Sequence, residues 1–175
     1  MLRRILSPDS NYNLEVSQKT KVFVYHYPFA EKMNPGWHKI ILEEATTRDK
    51  GASMTGWHCF DQFKLIGDYA LDLIKNLAPL QFHNLRLYQV WGQVYNKGDY
   101  QCSHEHIPYH WSFVYCVNAP KGSAPLVFDD TNKKVFFKSG DIVIFPSWIK
   151  HHVPKNKCEE RTIIAGNVIY EEQFV

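Results

Sequence analysis

The strongest constraint on the fold is a change in hydrophobic periodicity near residue 80. Before it, apolar residues recur every three or four positions from about Asp61 to Leu77, which predicts an amphipathic helix that Pro79 ends. The stripe consists of Phe63, Ile66, Ala70, Leu73, Ile74 and Leu77. After it, short apolar or alternating segments predict β-strands: "LRLYQVWGQVY", "HWSFVYCVN", "PLVFDD", "KVFFKSGDIVIFP" and "RTIIAGNVIY". Turn-forming stretches such as "NKGD" and "APKGSAP" separate these strands.

The part of the chain before that change predicts one more strand and one more helix. The strand is "TKVFVYHY", and the helix runs from Trp37 to Thr46 after "NPG". Helices followed by five or more strands indicate a mainly β (α+β) fold, a β-sandwich or jelly roll buttressed by N-terminal helices, rather than alternating βαβ units. No repeat, low-complexity tract or Gly/Ser linker divides the sequence, so residues 1–175 are expected to form a single domain.

Charge and cysteine content limit the partners and the compartment. The formal net charge is +2 with no run of like charges, so nothing indicates a nucleic-acid groove or a membrane-surface patch. The first residues are too polar for a signal-peptide core, and no later segment approaches the length of a membrane span. Four cysteines are scattered without a C-x-x-C pair, which is typical of free, mostly buried thiols. We therefore expect a cytoplasmic protein.

The segment "HEHIPYH", residues 104–110, is the clearest candidate for chemistry. On a strand, His104 and His106 would project from one face while Glu105 projects from the other, unless a bulge turns it inward. His151 follows two to three strands later and could supply a third ligand, completing a metal site with open positions. The competing interpretation is an ordinary surface histidine pair, which is common in proteins.

Arg161 is the second candidate, because it opens the apolar strand "RTIIAGNV". Burying an arginine is costly unless an anion accompanies it. The arginine would therefore either hold an anionic ligand or lie at the rim of the fold, paired with Glu159 or Glu160.

Four motifs together resemble those of the iron(II)- and 2-oxoglutarate-dependent oxygenases, and in particular a branch found in phages and bacteria. They are "KGDYQCSHEHIP", "SFVYCVNAP", "FPSWIKH" and "ERTIIAGN", and the resemblance covers roughly residues 90–168. It implies a double-stranded β-helix and a dioxygenase that uses Fe(II) and 2-oxoglutarate to hydroxylate a C–H bond. The implied substrate is a protein side chain or a small molecule, and the oligomeric state stays open.

The resemblance also implies roles for five residues. His104, His106 and His151 fall on the metal ligands, Arg161 on the residue that binds the far carboxylate of 2-oxoglutarate, and Tyr95 on a cofactor-binding tyrosine. His106 stands where the superfamily usually has a carboxylate.

The remaining aromatic residues and histidines carry weaker expectations. Trp111, Phe113 and Tyr115 would form a water-excluding wall beside the site, although each is equally well explained as core. His152 should point away from His151. The others are taken as unassigned (His110) or as surface and structural histidines (His26, His38, His58 and His83).

Two other functions remain open at this stage. One is a cupin-like metalloenzyme with three histidines, such as a thiol dioxygenase, which explains His106 but gives Arg161 no role. The other is a non-catalytic β-sandwich binding module.

Overall fold

The computed structural model describes residues 12–15, 20–49, 51–78 and 84–171. Two helices lie in this part of the chain, α1 (Ala30–Glu44) and α2 (Phe60–Leu77). The strands are β1 (Tyr12–Glu15), β2 (Lys21–His26), β3 (Thr47–Asp49), β4 (Ala52–Met54), β5 (Leu85–Tyr95), β6 (Gln101–His104), β7 (Trp111–Asn118), β8 (Leu126–Phe128), β9 (Lys133–Val135), β10 (Asp141–Pro146), β11 (His151–Val153) and β12 (Arg161–Tyr170).

The strands form two antiparallel sheets. The large sheet has eight strands in the order β1-β2-β10-β7-β12-β5-β4-β3, and the small sheet has four in the order β6-β11-β8-β9. The prediction of a mainly β chain is therefore confirmed in its coarse form.

The large sheet buries both of its faces, because its central strands are apolar on both sides. One face packs against α1 and α2 in a cluster that contains Ile41, Phe63 and Ile66. The other face packs against the small sheet in a second cluster that contains Phe128 and Phe145. Alternation along each strand decides which side chains enter which cluster.

Helix α2 agrees with the periodicity that predicts it. It begins one residue before the expected Asp61 and ends at Leu77, and five of the six stripe residues are buried. Its backbone departs from helical geometry at Phe63, whose ring is fully buried. Pro79, the expected stop, lies outside the described residues.

Helix α1 corrects the prediction that a helix begins after "NPG". It starts at Ala30 and passes through Pro35. The proline removes one helical hydrogen bond, but the turn around it is held from outside. The Asn34 side chain donates to the Val117 carbonyl at 2.9 Å and accepts from the Tyr115 hydroxyl at 2.5 Å. Tertiary contacts thus override the local signal of the proline.

Strand prediction is accurate for long strands and poor for short ones. The segments that became β5 and β12 match to the residue, whereas "KVFFKSGDIVIFP" divides into part of β9 and β10 around the turn at Gly140. The three-residue strands β3, β4 and β11 were not predicted, because a segment of three residues is too short to show a periodic pattern.

Two further features of the described chain concern its surroundings. Neither helix there combines the length and the apolar character that a membrane span requires. All four cysteines are free thiols as predicted, but only Cys59 and Cys116 are buried. Burial raises the pKa of the Cys116 thiol to about 12, which makes it unreactive.

Candidate metal centre

Three histidines converge at one end of the small sheet. His104 is the last residue of β6 and His151 the first of β11, and the two are direct partners in the antiparallel register. His106 lies two residues beyond β6, where its backbone N–H donates to the Ser147 carbonyl at 2.8 Å. One ring nitrogen from each histidine can be chosen so that all three lie within 4.8 Å of one another. One metal ion could contact all three.

Backbone carbonyls orient two of these rings. The carbonyl of Cys102 lies 2.8 Å from Nδ1 of His104, and that of Ile149 lies 2.9 Å from Nδ1 of His151. A carbonyl only accepts, so each neutral ring donates from Nδ1 and carries its lone pair on Nε2. Such a bond is the usual support of a metal-binding histidine.

The charge state of His151 also suits a metal ligand. Burial, reinforced by the neighbouring His104, lowers the pKa of His151 to about 3. The ring is therefore neutral at physiological pH, and only a neutral imidazole coordinates a metal.

The route by which His104 and His106 meet differs from the prediction. The two were expected to share one face of a strand, but β6 ends at His104 and the chain then turns. The centroids of the two rings nevertheless lie 4.9 Å apart, because the hydrogen bond from the His106 backbone to the Ser147 carbonyl holds the turn in place. Glu105 is exposed and lines the same cavity, but its carboxylate does not belong to the three-residue cluster.

Arg161 is fully buried at the start of β12. None of its three guanidinium nitrogens has a hydrogen-bond partner among the described residues. Its guanidinium carbon lies 4.7 Å from the centre of the Tyr95 ring and 5.6 Å from that of Phe137. A buried cation without a hydrogen-bond partner is costly, so the position favours an anionic ligand.

The alternative partners of Arg161 are engaged elsewhere. Glu159 accepts from the backbone N–H of Lys97 at 3.2 Å, and Glu160 lies 3.6 Å from His38. The interpretation of Arg161 as a rim residue paired with either glutamate is therefore wrong.

One cavity connects the arginine with the histidines. Its floor is built from alternate residues of two paired strands, with Arg161 opposite Tyr95, Ile163 opposite Gln93 and Ala165 opposite Trp91. The three histidines line the same cavity, two of them from the small sheet and His106 from the turn after β6. Ile163 and Ala165 share the arginine's face, as predicted, and offer only apolar contact.

Several residues of this cavity were missed from the sequence. The Tyr95 hydroxyl donates to Gln93 at 2.9 Å, and Gln93 faces Gln101 at 3.5 Å, so two buried amides lie beside the arginine. Trp91 and Trp57 line the other end. The alternation of β5 places residues 91, 93 and 95 on one face, so the assignment of Tyr95 could have led to Trp91 and Gln93, whereas no sequence signal marks Trp57 or Gln101.

The expected aromatic wall is wrong in its facing. Phe113 and Tyr115 belong to the cluster beneath the helices, and the half-buried Trp111 packs against that cluster. The intervening Val114 lines the cavity instead. The error is one of strand phase: a shift by one residue exchanges the two faces.

Asp129 joins the strands that carry two of the histidines. It accepts hydrogen bonds from Ser103 on β6 and from His152 on β11. Burial acts to raise the pKa of Asp129, but these two bonds outweigh it and hold that pKa below its usual range. His152 points away from His151, as predicted, and its hydrogen-bond partner is Asp129.

The other histidines have structural partners. His110 accepts from the backbone N–H of Tyr170 at 3.1 Å, His26 lies 3.1 Å from Asp141, and His38 lies 2.8 Å from the Thr162 hydroxyl. His58 is exposed beside Phe60. His83 lies outside the described residues.

Known structures share this architecture. A prolyl-4-hydroxylase from Pseudomonas putida aligns with a TM-score of 0.68 and 16% identity over 87% of this chain and 94% of its own. The viral collagen prolyl hydroxylase of Paramecium bursaria Chlorella virus-1, solved with 2OG, aligns at 0.61 and 14% identity over 78% and 88%. HygX from Streptomyces hygroscopicus, solved with iron, aligns at 0.60 and 13% identity over 84% and 81%.

Sequence comparison adds no closer relative. No protein-family model matches the chain, and no curated protein matches it significantly. At these identities the structural likeness establishes the fold: the chain shares the fold of the 2OG-Fe(II) oxygenases.

Proposed function

We propose that the chain is an iron(II)- and 2-oxoglutarate-dependent dioxygenase that hydroxylates a C–H bond of a protein side chain or a small molecule. The observation that carries this proposal is that Arg161, buried and without a hydrogen-bond partner among the described residues, shares one cavity with three convergent histidines. The fold likeness to prolyl hydroxylases and to iron-bound HygX supports it. We also infer that residues 1–175 form one double-stranded β-helix domain with the two helices behind its large sheet.

His104, His106 and His151 would hold the iron. Neutral imidazoles are good ligands for iron(II), and three ligands on one side leave positions for a bidentate cosubstrate and for O₂. With His106 in place of a carboxylate, the protein ligands carry no charge. The dianion of 2-oxoglutarate then neutralises the metal without a surplus negative ligand, so cosubstrate binding is compatible with three histidines.

Arg161 would bind the far carboxylate of 2-oxoglutarate through a charge-assisted, forked pair of hydrogen bonds. Tyr95 stacks on the guanidinium and could turn its hydroxyl toward the same carboxylate. Val114, Ile163 and Ala165 present apolar surface that excludes water from the bound cosubstrate. When bound, iron(II) and 2-oxoglutarate supply the oxidising chemistry by coupling O₂ activation to decarboxylation.

The competing functions leave more of the site unexplained. A three-histidine metalloenzyme without 2-oxoglutarate, such as a thiol dioxygenase, gives no reason for a buried cation beside the metal. A non-catalytic binding module accounts for neither feature.

Anaerobic addition of iron(II) followed by 2-oxoglutarate tests the proposal directly. We expect the visible charge-transfer band of the iron chelate to appear with the unaltered chain and to weaken in Arg161→Met. Bound iron without any such band would favour the three-histidine alternative, and no bound metal would favour the binding module.

The compartment forms part of the same proposal. Cysteine thiols persist in a reducing environment, and the four free cysteines support a cytoplasmic location.

A further inference from the structure

The end of the cavity opposite Arg161 differs sharply from the arginine end. Trp91 lies four residues from Tyr95 along β5, a distance of about 13 Å at the usual rise per residue. The ring of Trp57 meets that of Trp91 edge-on, with centroids 4.8 Å apart. Trp57 is 43% exposed although it lines the cavity, so an indole borders the entrance.

A carboxylate lines the cavity as well. Glu105 lies between His104 and His106 in the sequence, is exposed, and lines the cavity. It makes no hydrogen bond or ion pair with the described residues. An exposed carboxylate needs no protein partner, but one that borders a cavity adds negative potential there.

The cavity is lined by side chains of opposite charge type. Besides the histidines, Arg161 is the basic and Glu105 the acidic side chain of this lining among the described residues, and the proposed function commits the arginine to 2-oxoglutarate. The face left to the substrate is therefore one carboxylate and two indole rings. Indole faces attract cations, most strongly of all side-chain rings, and a nearby carboxylate adds to that attraction.

We propose that the substrate carries a cationic nitrogen, which Trp57, Trp91 and Glu105 hold at the open end of the cavity. The inference rests on the proposed function and names the substrate class of that site. A substrate anion would meet the uncompensated carboxylate. A neutral apolar group would use the indoles but would give Glu105 no role.

Matched pairs of ligands test the charge separately from the shape. Choline and 3,3-dimethylbutan-1-ol differ in one atom, cationic nitrogen or neutral carbon. A tripeptide with central lysine and its counterpart with 2-aminoheptanoic acid, in which a methyl group replaces the ammonium group, give the same comparison for a protein side chain. Each is titrated calorimetrically, at constant ionic strength, into the intact chain loaded with zinc(II), which binds the same imidazoles without redox chemistry, and saturated with 2-oxoglutarate, which occupies Arg161 and offsets the charge of the metal.

The expected result is that at least one cation binds about five- to thirtyfold more tightly than its neutral partner. Preference for choline would identify the substrate as a small amine, and preference for the lysine peptide would identify it as a protein side chain. Equal binding of cation and neutral partner in both pairs, or no heat from either cation at tens of millimolar, overturns the proposal.

Variants locate the binding on these residues. Glu105→Gln removes the charge and should abolish most of the preference, while Trp57→Ala should weaken the cation and Trp57→Phe should retain part of its binding. Glu43→Gln, an exposed glutamate on α1, is the control and should change nothing. An unchanged preference in Glu105→Gln refutes the assignment.

The charge-transfer band is measured with iron(II) in a separate experiment, so the two proposals fail separately. A charge-transfer band without cation preference refutes only the proposed substrate class. Cation preference without such a band refutes the proposed dioxygenase activity and supports the cation site.

Discussion

Replacing Arg161 by Met should change cosubstrate binding and stability in opposite directions. The guanidinium is fully buried and none of its nitrogens has a hydrogen-bond partner among the described residues. In the empty protein this is an uncompensated cation; with 2-oxoglutarate bound, the proposed function makes it one half of a buried ion pair. The same substitution therefore removes an unfavourable buried charge from the empty protein and an essential contact from the complex with 2-oxoglutarate.

The magnitudes follow from that difference. Truncating one member of a buried charge pair costs about 2–4 kcal/mol of binding, so the Kd for 2-oxoglutarate should rise about 30- to 700-fold. Replacing a buried charge by an apolar side chain of similar volume is neutral or stabilising by up to about 4 kcal/mol. In a chain of this size each kcal/mol raises Tm by about 2–4 °C.

Thermal unfolding with manganese(II) in place of iron, with and without 2-oxoglutarate, measures both effects. In Arg161→Met we expect an equal or higher Tm without the cosubstrate and almost no further rise when it is added. Arg86→Met is the control, since Arg86 is half exposed and paired with Glu171 on the surface. A variant that loses Tm in the empty protein yet binds 2-oxoglutarate normally would refute the reasoning about this arginine.

Three further predictions concern the metal site and the sheet. His106→Ala should lose bound iron(II), measured by metal analysis after desalting, whereas Glu105→Gln should keep it; the reverse result would make the glutamate the third ligand. Asp129→Ala should destabilise the chain by about 1–3 kcal/mol and speed iron loss, because β6 and β11 lose their shared acceptor; Asp130→Ala, a change at an exposed neighbour, should do neither. Gly166→Ala should cost about 1–3 kcal/mol in denaturant unfolding, since its Cβ would lie 2.5 Å from an aromatic ring of β7 and 2.7 Å from a carbonyl oxygen of β5; unchanged stability would mean that the ring moves aside.

The reliability of the sequence analysis depended on how many residues carried each signal. Helix α2 and the strands β5 and β12 span 10 to 18 residues, so their periodicity is unambiguous. The facing of β7 was predicted wrongly because its residues from Phe113 to Val117 are all hydrophobic, and a continuous hydrophobic run does not reveal which face meets which core.

The amino-acid sequence alone identified the three histidines and Arg161, because each residue type is chemically distinctive and stands in a recognisable motif. It did not contain the arrangement that makes them one site. His104 and His151 meet through the pairing of two short strands, and His106 joins them through a bond to Ser147, both contacts between distant segments. The lack of a hydrogen-bond partner for Arg161 among the described residues is likewise a property of the packed interior. Glu159 and Glu160, its neighbours in the sequence, bind other residues. Local chemistry is thus readable from the chain, whereas proximity, burial and the lack of a partner arise only when the two sheets close over the cavity.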